Sequence, residues 1–144
     1  MIYIFLIFIL FFGCGWVLNR KRLERMFSKK KFINYTKENI DVLKSNIIAL
    51  PPDMRSKVYN ASTAFALISY IVIYMISLYF IQDVMFAPFV LIAVLCDFCE
   101  SNYVTHYLQH GETTDLQDTL VHAASIYRSL FFLYIAIELL ITIF

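Results

Sequence analysis

The sequence predicts an all-α integral membrane protein: four transmembrane helices, an amphipathic cytoplasmic connector helix, and a protruding polar hairpin formed by helices three and four. Three observations predict it. Of 144 residues, 60% are apolar and 17% aromatic, above the roughly 45–50% apolar share of soluble domains. The apolar residues gather in four runs separated by charged or proline-bearing breaks. The charge is one-sided: a formal net charge of +1 hides eleven of the twelve Lys/Arg between positions 20 and 57, whereas the chain from Val58 onward carries seven acids and Arg128 as its single base. With four apolar segments to place in this length, residues 1–144 read as one membrane domain, without room for an extramembrane catalytic domain or a nucleotide-binding fold.

The first run, residues 2–18, holds 17 uncharged residues. At about 1.5 Å per residue it nearly crosses a hydrocarbon core of about 30 Å, with Asn19 and Arg20 reaching the interface. No basic segment precedes it and no small-x-small cleavage site follows, so it is expected as a retained span rather than a signal peptide. Next come seven bases in residues 20–31, bounded by Arg20 and Lys31, with Glu24 as the only acid. Such a cluster is held on the cytoplasmic side, attracts anionic lipids, and is too short to recruit nucleic acid. Leu23, Met26 and Phe27 stand at i, i+3, i+4, which lets the first helix run on past the membrane surface.

The connector is residues 19–52. Within it Ile40, Leu43, Ile47 and Leu50 repeat at 3-4-3 spacing among Lys37, Glu38, Asp41 and Lys44, the pattern of an amphipathic helix lying on the membrane surface or on a partner. Pro51-Pro52 ends it, and Asp53 is placed to cap the next helix.

The second span is residues 53–82, whose 25 uncharged residues from position 58 onward are the longest apolar run in the chain. Ser62, Ala66, Ser69 and Ser77 fall on it at helical spacing, and small residues of this kind let membrane helices approach closely. The third span, residues 84–110, has only 13 uncharged residues before Asp97, so its helix has to continue through Asp97 and Glu100 to a left-handed cap at Gly111. Thr114 with Gln117 then makes a capping box for the fourth span, residues 114–144. Alternating the four spans puts every base on the cytoplasmic side or at its interface, with both termini outside, as the positive-inside rule demands. The absence of an organelle-targeting segment points to a cell inner membrane.

Folding spans three and four as an antiparallel hairpin brings residues whose numbers sum to about 225 face to face. His106 then meets Asp118, His110 meets Asp115, and Asp97 meets Arg128. Two i, i+4 pairs, His106/His110 and Asp118/His122, are candidate ligands for one metal ion. Cys96-x2-Cys99 with the two nearby histidines lacks zinc-finger spacing, since a continuous helix separates Cys96 from His110 by about 21 Å. Glu138 lies deep in the last apolar run, where a carboxylate costs about 2–3 kcal/mol and marks a polar contact or a conduction path. There is no nucleophile–base constellation, phosphate-binding glycine loop or family-specific motif. The expected function is therefore non-enzymatic: helix–helix and protein–protein contact as a membrane-complex subunit or a regulatory or immunity-type factor, with other membrane subunits or further copies as partners. Two alternatives are a homo-oligomeric ion or proton channel lined by Glu138, Asp97, Glu100 and the histidines, and a metal-dependent membrane enzyme built on His106, His110, Asp118 and His122.

Overall fold

The computed structural model describes residues 1–144 and is helical from end to end, with no strands. Six α-helices follow one another: α1 (Ile2–Phe8), α2 (Arg20–Phe27), α3 (Lys29–Ile48), α4 (Pro52–Phe80), α5 (Phe86–His110) and α6 (Asp115–Ile143). Three of them, α4, α5 and α6, are long and apolar enough to cross a membrane. The 29 residues of α4 and of α6 make each about 44 Å long, longer than a hydrocarbon core of about 30 Å, so their polar ends extend beyond it.

The expected first span differs. After α1 the chain widens into a π-helical turn at Ile9–Gly13 and tightens into a 3-10 turn at Gly15–Leu18. The unbroken apolar helical stretch is Ile2–Gly13, about 18 Å at helical rise, so residues 2–18 are not one continuous spanning helix. The break lies where the chain presses on α6: a Cβ added to Gly13 would stand 2.7 Å from Cδ1 of Phe132. Nor does the first helix run on into the basic cluster. Asn19 is extended and its side chain accepts from the N–H groups of Lys21 and Arg22, starting α2 as a separate helix.

Ser28 caps α3 in the same way, so that helix begins well before Ile40, the first position of the amphipathic repeat. Asp53 does not cap α4; Pro51 occupies the cap position and Asp53 lies in the first turn, where its charge favours the helix dipole. Arg55 instead reaches back, its Nε and Nη2 donating to the carbonyls of Leu50 and Ile48 at 2.9 and 2.8 Å. That occupies carbonyls left open at the end of α3. The turn between α5 and α6 has the expected chemistry: Gly111 takes φ +72°, a left-handed conformation that costs a side-chain-bearing residue about 1–2 kcal/mol. Thr114 and Gln117 form the reciprocal capping box.

Two apolar clusters result. The larger joins Phe5, Leu6 and Ile9 to Tyr74, Phe86, Ala93, Phe131, Ile135 and Leu139, with α6 at its centre. Aromatic rings fill much of it, with Phe86 stacked on Phe131 at 5.6 Å and Tyr74 edge-on to Phe131 at 5.6 Å. The smaller lies at the basic end and consists of Ile33 and Ile40 on α3 against Tyr103 and Val121.

Candidate functional site

Where α4, α5 and α6 meet, an ionic cluster spans all three. Asp97 and Glu100 are three residues apart on α5 and so share one helical face. The antiparallel α6 brings Arg128 opposite them: Nε lies 3.0 Å from Asp97 Oδ1, and Nη2 pairs with Glu100 Oε2. The Asp97 contact is an ion pair rather than an aligned hydrogen bond, since neither atom has a hydrogen-bond partner. From α4, Tyr74 donates its hydroxyl to Asp97 Oδ2 at 2.8 Å. One turn earlier Tyr70 accepts from Arg128 Nη1 at 3.0 Å, with the guanidinium 4.5 Å from its ring centroid. Asp97 is 4% exposed and Tyr74 1%, so these charges are held by one another and by phenols rather than by water. Two carboxylates face one guanidinium, and three helices are tied at one level.

Cavities open on both sides of Arg128. One of about 540 Å³ lies between the break after α1, the α2–α3 pair and α6, and Arg22, Arg25, Trp16 and Arg128 line it. The other, about 220 Å³, lies between α4 and α5 and reaches Asp97 and Glu100. Beside the first, the Arg25 guanidinium lies 3.6 Å from the Tyr35 ring centroid. The Asn39 amide and then Arg25 hold the Tyr35 phenol below its ordinary pKa, as donors and uncompensated positive charge do.

The hairpin places the metal-ligand candidates at similar heights without bringing them together. His106 and His110 stack ring on ring at 4.4 Å. Asp118 accepts from Tyr103 at 2.8 Å and from Thr113 at 2.7 Å. His122 turns the other way, its Nε2 3.0 Å from the Met26 carbonyl and its ring against Phe32. No three His, Cys, Asp or Glu side chains stand close enough to share an ion. Of the three expected cross-hairpin pairs, only Asp97 with Arg128 forms as a side-chain pair. Asp115 goes instead to Lys29 Nζ at 2.7 Å, while His110 turns to the His106 carbonyl of its own helix.

Glu138 is half-buried near the C-terminal end of α6, about 15 Å along the helix from Arg128. Of the amphipathic positions, Ile40 is buried against α5 and α6, whereas Leu43, Ile47 and Leu50 are half-buried. Of the small residues on α4, Ser77 is buried and Ser69 half-buried, while Ser62 and Ala66 are exposed along the smaller cavity.

Sequence reasoning missed Tyr70 and Tyr74, Arg22 and Arg25 as a pair, and Trp16. The tyrosines carried a signal: two phenols one turn apart in an uncharged run can solvate an intramembrane ion pair on a neighbouring helix. Arg22 and Arg25 are indistinguishable by sequence from the five other bases around them. No protein family, curated protein or solved structure compared with the chain matches it.

Proposed function

We propose that this is a non-enzymatic membrane protein that works by helix contact inside the bilayer, as a subunit or regulator of a larger assembly, with α4 as its contact helix. The observation that carries the reading is the imbalance between α4 and its neighbours. The most apolar stretch of α4 has the highest hydropathy of the three spans, yet only 11% of it is buried within the chain, against 28% for α6. Toward its basic end, Ser62 and Ala66 stand exposed where α4 and α5 diverge around the smaller cavity, and a second helix backbone can approach closely there. The intramembrane ions at Arg128 pair with one another within the chain, which suits a clasp holding the bundle in shape for a partner better than a reaction centre.

In the cell inner membrane, α2, α3 and the Gly111 turn belong on the cytoplasmic side, because nearly all bases gather there. Residues 2–18 then cross beside α6 as a broken fourth span: Phe5 meets Phe80 near the far end of α4 with ring centroids 5.7 Å apart, while Asn19 starts α2 at the basic side. Irregular backbone at membrane depth is tolerated where protein covers it, and Phe132 covers Gly13. On this reading α3 is a cytoplasmic connector folded back on its own hairpin, with Ile40 used internally.

Cysteine cross-linking in native membranes tests the contact helix. With Cys14, Cys96 and Cys99 replaced by Ala, Ser62→Cys and Ala66→Cys are expected to form adducts with a neighbouring chain, whether a copy or another protein. Met75→Cys, on the lipid side, is the control. Absence of adducts at positions 62 and 66, or equal adducts at all three, would contradict the proposal. A second reading, proton or ion conduction by an oligomer, draws on the carboxylate excess at Asp97 and Glu100; it requires proteoliposome flux that Asp97→Asn abolishes.

A further inference from the structure

We infer that the larger cavity is a binding site for the phosphate headgroup of an anionic phospholipid, held by Arg22 and Arg25 and backed by Arg128. The inference stands independently of the contact role assigned to α4.

Four observations converge on it. The first is charge. Arg22 and Arg25, one turn apart on α2, both line the cavity, and no Asp or Glu does. Neither has a carboxylate within ion-pairing distance, whereas Arg20 and Lys31 pair with Glu24, and Lys29 with Asp115; Lys21 and Lys30 are also unpaired but do not line the cavity. Arg128 contributes a third guanidinium whose own charge is met by Asp97 and Glu100 from the opposite side. Two uncompensated guanidinium groups on one wall suit a phosphate, which planar N–H forks can grip in pairs.

The second is a spare donor. Trp16 lines the same cavity, and its indole N–H is buried with no partner in the chain; a buried donor of that kind costs about 1–3 kcal/mol until something accepts from it. Ser125 on α6 adds a hydroxyl to the same wall, whereas that of Ser129 already donates to the Ser125 carbonyl.

The third is the apolar half of the lining. Phe12, Phe32 and Phe132 line the cavity with the arginines, and Phe12, in the π-helical turn after α1, is 76% exposed. A free phosphate has no use for such a wall, whereas the glycerol and first methylenes of a lipid do. The fourth is depth. The basic helix α2 forms one wall of the cavity, so the cavity lies where the basic end of the bundle meets the apolar core. That is where arginine side chains reach lipid phosphates. A volume of about 540 Å³ falls within the range of small-ligand sites. The sequence-level attraction of residues 20–31 for anionic lipid is diffuse; the geometry selects two of those seven bases.

Trp16 is the only tryptophan in the chain, so its fluorescence reports occupancy directly. The purified full-length protein in a neutral detergent would be titrated with short-chain phosphatidic acid, phosphatidylcholine of the same chain length, and inorganic phosphate. The expected result is a saturable change with phosphatidic acid, little with the other two, and affinity weakened roughly tenfold or more in Arg22→Gln and in Arg25→Gln. Arg22 is exposed, so its replacement leaves the fold intact even if loss of the Arg25–Tyr35 stack disturbs α2. Arg20→Gln, two residues from Arg22 but outside the cavity, should bind as the unchanged protein does. No saturable response, or equal weakening by Arg20→Gln and Arg22→Gln, would overturn the site. An equally tight response to inorganic phosphate would overturn its assignment to lipid.

Discussion

Arg128 is the residue on which the bundle depends most, because it is the only base after Lys57 and it answers two carboxylates in a place with little water. Removing one member of a buried ion cluster leaves the others unpaired, which costs about 3–5 kcal/mol, whereas replacing the whole cluster by neutral groups costs far less. Arg128→Met is therefore expected to lower the melting temperature of the detergent-solubilised protein severely. The triple variant Asp97→Asn, Glu100→Gln, Arg128→Met should recover most of the loss. Equal melting of the single variant and the unchanged protein would show that the cluster is not the clasp described. That Asp97 meets Arg128 was readable in advance, since an antiparallel hairpin with a short turn fixes height along the helix axis. It does not fix direction around that axis, and this is why the histidines stand apart: His122 is at the right height but points toward the end of α2.

At the scale of the element, the N-terminal segment separates what hydropathy can express from what packing decides. Residues 2–18 read as one span because an unbroken apolar run carries no mark of where its hydrogen-bond pattern changes. The marks that exist are Gly13, Gly15 and Asn19: one lets the backbone close on Phe132, one meets no neighbour within 4 Å, and one stops the run with its own cap. Gly13→Ala is expected to destabilise by about 1–3 kcal/mol through overpacking, read as a lower melting temperature. Since the atoms in the way are Cδ1, Cγ and Cβ of Phe132, Phe132→Ala in the same chain removes the two nearest and should return part of the loss. Purely additive destabilisation by the two changes would argue against the close approach. The caps at Gly111 and Thr114 were legible to the residue because cap chemistry is local, whereas Asp53 was displaced from its expected role by a second local rule, proline at the start of a helix.

For the whole molecule, one-sided charge is the organising fact. The basic α2–α3 pair and the more acidic start of α6 lie at the same end and meet through Lys29 with Asp115, and α3 also meets α5 there, where Tyr107 donates to Asp41 at 3.0 Å. Asp115 is 92% exposed in that pair, so the contact guides docking more than it stabilises, while Ile33, Ile40, Tyr103 and Val121 supply the apolar closure. Membrane character and helical content were legible from composition and spacing. The number of continuous spans was not, because three helices and a broken segment share the same hydropathy as four helices. Function was the least legible, since a chain that buries its ionic groups against one another leaves its working surface to be read from what stays uncovered, and on α4 that is most of the helix. The most direct measurement is native mass spectrometry of the intact protein released from mild detergent. The account predicts a species holding a second chain, either another copy or a different subunit, that is lost in Ala66→Trp; a single chain across all detergent concentrations would contradict it.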